Sequence, residues 1–285
     1  MRVRKTAALL LAALLLCLAA CGAPAADDAA APEPETAATE AATVSDPDGL
    51  CAATLTATRE TAGDCTVSVT LENHTDGVVT FILDAVAVNG IRLYSESSGV
   101  FELVEAGRTL ETSFAVAPAV LDDYGIGQAG SVTVSALALT EKSENLLDAE
   151  TTLRFDDAAA DAVPAPLAQE QTVADADGLL VAVGGGHPDA YGDYAVLLRC
   201  ENASDADIQL SLEQFRYNGH EVDDYIGFAV PAGTAGYGRV TVSADLLALM
   251  DLTVEELTEV SFVLRAERDG QTEPLLTQSV TYTPA

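Results

Sequence analysis

The fold this chain predicts is all-β, two tandem antiparallel β-sandwiches, and three observations predict it. Thr66 to Gly90 (TVSVTLENHTDGVVTFILDAVAVNG) returns as Ala195 to Gly219 (AVLLRCENASDADIQLSLEQFRYNG), with Glu72-Asn73 over Glu201-Asn202 and Asn89-Gly90 over Asn218-Gly219, each at a shift of 129 residues. Within each copy, apolar and polar residues alternate with the period of a strand that is wet on one face. Turn signals punctuate these runs roughly every 8 to 12 residues, the spacing of a sandwich of about seven short strands. The length of 285 residues suits about two domains.

The first 20 residues are a leader and not part of that fold. Arg2, Arg4 and Lys5 make a basic start, Ala7 to Leu18 is an apolar run too short for a membrane span, and small residues follow. Leu18-Ala19-Ala20-Cys21 resembles the bacterial lipobox. That resemblance implies cleavage before Cys21, diacylglycerol on its sulfur, and a protein held at the membrane through lipid on its extracytoplasmic side. Residues 21–45 are rich in Ala, Pro, Thr and acids with almost no large apolar side chain; such a segment buries too little to offset its ordering entropy and reads as a tether.

Repeat one occupies residues 46–156. Asp46-Pro47-Asp48-Gly49 turns into a first strand, Cys51 to Ala57; a second runs Cys65 to Glu72 and a third Val78 to Val88. The third ends in Asn89-Gly90, the strongest short hairpin signal, because a type I′ turn needs positive φ at both central residues. After it the copies diverge and re-register at Val104-Glu105-Ala106-Gly107 and Val230-Pro231-Ala232-Gly233, a shift of 126. Thr112 to Val116, Val132 to Leu139 and Ala149 to Phe155 are the later strands, with a short helix at Ala119 to Tyr124. Residues 157–170, Ala- and Pro-rich and acidic, read as a linker between halves that fold independently. Repeat two, residues 171–285, opens on Asp175-Ala176-Asp177-Gly178 and echoes the rest, ending in strands at Val260 to Glu267 and Leu276 to Tyr282.

The formal net charge is −32, and losing Arg2, Arg4 and Lys5 with the leader takes it to −35. Nucleic acid is excluded as a partner, because phosphate binding needs clustered Lys and Arg and the remaining ones are scattered. Of five cysteines, Cys17 leaves with the leader and Cys21 carries lipid. Cys51 and Cys65 share the buried parity of their strands and are expected to form a disulfide outside the cytoplasm; Cys200, where repeat one has Leu71, is expected in the core.

Chemistry is sparse. His74, His187 and His220 are not repeated and form no His-x-x-x-His pair, so they read as solvated turn residues, and Gly184-Gly185-Gly186 reads as a flexible hairpin loop. Asp46, Asp48, Asp175 and Asp177 are calcium candidates, but Asp-x-Asp-Gly is equally a good turn and the glycine sits too early for an EF-hand loop. No catalytic constellation or cofactor motif stands out, no tryptophan is present, and the chain reads as non-enzymatic. The segment Ile91 to Leu103 is three residues longer than its counterpart and carries Arg92 and Tyr94, candidates for partner binding; the other reading is that Tyr94 and Phe101 cover the open end of the sandwich.

The run Glu72-Asn73-x-Thr75-Asp76, strand, Asn89-Gly90, then Gly107 and Gly125-Ile126 resembles an uncharacterised immunoglobulin-like domain of surface lipoproteins of Gram-positive bacteria, here in tandem. Repeat two departs from it, with Leu252 at the Gly-Ile position and Ala203 for His74. The resemblance implies a fold and no activity. A lipid-anchored spacer or protein-interaction module with an envelope partner is therefore the first expectation, a binding protein for a small ligand or calcium the second, and a hydrolytic enzyme the third.

Overall fold

The computed structural model describes residues 36–60, 65–94, 98–116, 118–155, 162–189, 191–268, 271 and 273–284. Cys21, the leader and the start of the tether lie outside the described residues. Of the described residues 60 % are in strands and 6 % in helices, so the fold is all-β as expected.

Lobe one contains β1 (Ala37–Ala38), β2 (Ala42–Ser45), β3 (Cys51–Arg59), β4 (Cys65–Asn73), β5 (Val79–Val88), β6 (Ile91–Leu93), β7 (Gly99–Val104), β8 (Thr109–Val116), β9 (Ser131–Thr140) and β10 (Asn145–Arg154). Lobe two contains β11 (Gln171–Ala176), β12 (Leu179–Pro188), β13 (Tyr194–Asn202), β14 (Ile208–Tyr217), β15 (His220–Val222), β16 (Ile226–Val230), β17 (Thr234–Val242), β18 (Val260–Arg268) and β19 (Leu276–Tyr282). Short helices span Pro118–Asp123 and Ala244–Ala248. β3, β4 and β5 bury every second side chain, as alternation requires. Burying a Leu or Phe side chain in this way contributes about 1.5 to 3 kcal/mol.

The repeated motifs are turn chemistry. Asn89 and Gly90 have φ of 53° and 78°, and Asn218 and Gly219 have 49° and 82°, the double positive φ of a type I′ turn. Asn73 is buried; its Nδ2 donates to the carbonyls of Gly77 and Val104, both at 2.8 Å, and its Oδ1 accepts from Thr75 N–H and Oγ1. Asn202 repeats this with Ala206, Val230 and Ser204. Each asparagine ties its hairpin to the strand before the Val-x-Ala-Gly turn, and an unpaired amide there would cost about 1 to 3 kcal/mol. Where repeat two lacks Gly125, Asp251 takes the positive φ, 57° against 64°, and the helix closes alike, with Leu252 N–H donating to Leu247 and Ile126 N–H to Leu121.

Three sheets result. β1 and β2 flank β3 in a sheet that continues through β4 to β8; nine strands form a central sheet; β14, β15, β16, β18 and β19 form the third. In the central sheet the order is β10, β9, β5, β6, β17, β13, β12, β11, with β7 also on β5. One core lies between the first sheet and the lobe-one part of the central sheet, and a second lies between the lobe-two part and the third sheet. By the repeat, the second layer of lobe one is thus joined edge to edge to the first layer of lobe two.

That join corrects the expectation of independent halves. β6 and β17 pair in parallel, Arg92 opposite Gly236 and Leu93 opposite Tyr237. A Cβ on Gly236 would stand 2.2 Å from the Arg92 carbonyl oxygen, so only glycine lets these backbones meet. Tyr237 stacks on Tyr124 at 5.0 Å, and its hydroxyl donates to Ala165 in the linker. The linker is docked as well: Leu167 packs on the first core, and Glu170 pairs with Arg199 at 2.6 Å. Hydrogen bonding from Arg199 holds the Glu170 carboxyl below its usual range against the opposing effect of burial. Thr36 to Ala285 consequently forms one unit.

Two further expectations are corrected. The tether expected over residues 21–45 is not free at its end: Ala42 to Ser45 pair with Leu55 to Ala52 of β3, because the open edge of β3 satisfies their backbone groups and Ala42 and Val44 pack on the core. The Cys51–Cys65 disulfide does not form: both thiols are free and buried. Register explains it, since Cys51 faces Asn73 and Cys65 faces Arg59. Eight residues of strand separate the two positions, about 26 Å, whereas a disulfide needs Cα atoms about 5.5 Å apart. Cys200 is in the core, where burial pushes its thiol up to about 12.

Candidate functional site

The most distinctive surface is the outer face of the central sheet in lobe one. The core-facing residues of β5 and β9 are Val79, Phe81, Leu83 and Val132, Val134, Ala136 and Ala138. Strand alternation therefore turns Thr80, Ile82, Leu137 and Leu139 outward. Register sets them in rows with β7: Leu103, Thr80 and Leu139 form one, and Phe101, Ile82 and Leu137 the next, ending at Asp148. Phe101 is 65 % and Leu103 61 % exposed, so the patch is open to solvent. The following row holds Asp84, Ser135 and Glu150. Burial raises the Asp84 carboxyl above its usual range, although hydrogen bonds from Ser98 and Ala85 oppose it.

Lobe two carries the same frame with different chemistry. Carried through the two shifts and the matching registers, Ile82 corresponds to Ser211, Leu137 to Arg265, Leu139 to Glu267, Phe101 to Gly227 and Leu103 to Ala229. The same positions without a large apolar side chain therefore fold within the same chain, so the apolar residues of lobe one are not needed to hold the sheet. An apolar cluster of this kind, with Phe101 and Leu103 exposed, is a candidate for partner binding.

Arg92 and Tyr94, the sequence candidates for that role, are elsewhere. Tyr94 is only 5 % exposed; it stacks on Phe228 at 5.5 Å and its hydroxyl lies 3.0 Å from Thr234 Oγ1. Arg92 makes a two-pronged ion pair with Glu150, both bonds 2.8 Å. Tyr94 and the Arg92 backbone lie at the junction between lobes and the Arg92 side chain is spent on Glu150 within lobe one, against the partner-binding expectation, while Phe101, from the same segment, is left exposed rather than covering the sandwich end. Comparing Val100-Phe101-Glu102-Leu103-Val104 with the Gly227 and Ala229 positions of repeat two would have found the patch, because the alternation turns Phe101 and Leu103 outward once Val104 is in the core.

The calcium candidates do not gather. Asp46 spends its carboxylate on the N–H groups of Asp48, at 2.9 Å, and Cys51, at 2.6 Å. Those backbone bonds outweigh desolvation and hold it below the usual carboxylate range. Asp175 and Asp177 stand at the equivalent turn of the other lobe, and among the described residues no three His, Cys, Asp or Glu side chains group as a metal ion would require. His187 is no solvated turn residue: its Nε2 lies 2.8 Å from Asp123 Oδ1, and Arg239 bridges Asp123 and Asp189 at 3.2 and 2.8 Å. Nor is Gly184-Gly185-Gly186 a loop. It is a bulged part of β12, where a Cβ at Gly184 or Gly186 would meet Ala168 or the Tyr194 and Tyr282 hydroxyls within 2.8 Å.

No protein-family model and no curated protein matches the chain. Among solved structures it is similar to a red sea bream transglutaminase (13 % identity, TM-score 0.23, 78 % of this chain and 29 % of that one). It is also similar to a bacterial ice-binding adhesin (15 %, 0.20, 78 % and 57 %) and an Amycolatopsis orientalis exo-chitosanase (13 %, 0.21, 76 % and 25 %). The chain thus spans less than two thirds of each, and at these TM-scores the likenesses bear on neither mechanism nor ligand.

Proposed function

We propose that this chain is a lipid-anchored, non-catalytic interaction module on the extracytoplasmic side of the cell membrane, a two-lobed spacer that presents the outer face of lobe one to an envelope protein. The observation that carries this reading is the contrast at one address: Phe101, Leu103, Ile82, Leu137 and Leu139 in lobe one against Gly227, Ala229, Ser211, Arg265 and Glu267 in lobe two. The location rests on the leader, on Leu18-Ala19-Ala20-Cys21, and on the resemblance to lipoprotein immunoglobulin-like domains. The nine-stranded sheet that crosses both lobes supports the spacer role, since pairing of β6 with β17 stiffens the join.

Charge selects the partner. Asp84 and Asp148 border the apolar rows, beside Glu150 that Arg92 already pairs, and the chain carries 45 acids against 13 Lys and Arg. The partner is therefore a protein with an apolar centre ringed by Lys or Arg. A second copy would bring the same acids to the same border and be repelled. A photo-crosslinking side chain at position 101 of the anchored full-length protein is the test, with position 229, on the matching strand of lobe two, as control. Adducts to a basic envelope protein at 101 and none at 229 are expected; equal labelling at both, or labelling of a second copy alone, overturns the reading. For the anchor, Cys21→Ala releases the protein or leaves its leader uncleaved, and membrane retention after correct cleavage would contradict lipidation.

A further inference from the structure

We propose that the outer face of the third sheet, in lobe two, is a binding site for uncharged, equatorially substituted pyranose chains. The site is independent of the protein-docking reading of lobe one. It is a hollow of about 500 Å³ in which Tyr225 borders Gln209, Ser211, Glu213, Arg265 and Glu267. That volume falls within the roughly 300 to 1,000 Å³ of small-molecule sites, and it suits one or two sugar rings.

Tyr225 makes the platform. A Cβ built on Gly227 would meet three atoms of the Tyr225 side chain, Oη, Cε1 and Cζ, at 2.8 to 3.1 Å. The ring therefore lies flat across β16, and Gly227 is there for the ring and not for its own backbone, which needs no positive φ. Glycine inside a strand otherwise weakens it and marks a close approach. Tyr225 N–H donates to its neighbour Asp224 at 2.8 Å. Tyr225 as a residue remains 65 % exposed, so the far side of its ring is open to a ligand. The C–H face of a pyranose stacks on such a ring, which presents an apolar body beside a polar rim.

The polar groups stand beside this platform. Glu213 follows Gln209 and Ser211 on the outward side of β14, and Ser211 Oγ donates to Glu213 at 3.0 Å. Arg265 and Glu267, ion-paired, sit opposite Ser211 and Gln209 on β18. Arg265 Nε is buried without a hydrogen-bond partner among the described residues, and a buried donor of this kind calls for an acceptor. Planar guanidinium, amide and carboxylate groups offer the paired donors and acceptors that neighbouring equatorial hydroxyls need. Lobe one has Leu137, Leu139, Ile82 and Thr80 at these positions, so the fold does not require the polar set. Two carboxylates against one guanidinium, on a chain of net charge −32, exclude anionic glycans.

Calorimetric titration of the detergent-solubilised full-length protein with cellohexaose, N-acetylchitohexaose and polygalacturonate tests the assignment. Binding of at least one neutral oligosaccharide and none of polygalacturonate is expected, with Tyr225→Ala and Tyr225→Leu each weakening it about tenfold or more at unchanged melting temperature. Phe101→Ser, on the other lobe, should leave it unchanged. Absence of binding by both neutral probes, tighter binding of the anionic one, or undiminished binding in both Tyr225 variants overturns the site.

Discussion

On the outer face of lobe one Ile82, Leu137 and Leu139 stand where lobe two carries Ser211, Arg265 and Glu267, while beneath both faces the Asn-Gly hairpins and the Asn73 and Asn202 side chains repeat with the same hydrogen bonds. Each copy serves as a folding control for the other. What they share is what the frame needs: alternating core residues, positive-φ turns and one buried amide per hairpin. What they do not share is free to carry function. The same logic separates the two ends of the molecule. β6 accepts β17 because Gly236 is small, but the counterpart of β6 carries Glu221 and Asp223 in place of Arg92 and Tyr94, and β8 carries Leu110 and Glu111 in place of Gly236 and Tyr237. Acids on exposed edges block further pairing, so the join is made once within the chain.

The largest effect expected is at that join. Gly236→Val drives a side chain into the Arg92 carbonyl and should lower stability by about 3 kcal/mol or more. Calorimetry should show the single melting transition of the native protein split into two, as the lobes uncouple. One unsplit transition at the native temperature would mean that the lobes are held by something other than the sheet.

Thiols sharpen the comparison next, because lobe one has Cys51 and Cys65 where lobe two has Leu180 and Tyr194. Burial raises both thiols to about 11 from 9.0. A folded-state value above the unfolded one means that the folded state favours the protonated thiol, so this contribution is complete below about pH 9 and is lost as pH rises towards 11. Denaturant titrations across that window should show falling stability. Cys51→Ala with Cys65→Ala should flatten the fall, and at pH 8 a reducing agent should leave the native melting temperature in place.

A smaller effect on stability, with a large effect on binding, is expected from grafting one face on the other. Ile82→Ser, Leu137→Arg and Leu139→Glu together should change stability by no more than about 1 kcal/mol while abolishing crosslinking from position 101. A loss of several kcal/mol would show that the apolar face is structural. The smallest effect belongs to His74→Ala, which gives lobe one the residue lobe two already has at Ala203. Its side chain is solvent-facing and pairs only loosely with Glu72 at 3.5 Å, so a shift within about 0.5 kcal/mol is expected in chemical denaturation.

Local patterns read correctly because their causes are local. Asn89-Gly90 and Asn218-Gly219 needed only their own φ preferences, and β19 runs from Leu276 to Tyr282, the bounds read from the sequence. Register was not local. The shared parity of Cys51 and Cys65 fixes which face each side chain takes, but parity says nothing of position along a strand, and the hairpin places the two thiols at opposite ends. The patch was half legible: Phe101 and Leu103 alternate visibly, but their outward direction depends on Val104 entering the core.

By itself, then, the sequence determined the class of fold, the repeat, the turns and the acidic composition, since each follows from composition or from neighbours a few residues apart. The tertiary structure alone decided that the two copies share one sheet, that Tyr94 and the Arg92 backbone serve the join, and that Ala42 to Ser45 complete an edge of lobe one. Edge pairing uses backbone groups that every residue possesses, and a contact of two or three residues such as β6 on β17 leaves no periodic trace. Only the glycine that permits it, Gly236, is written in the chain, and its meaning appears once the Arg92 carbonyl lies against it.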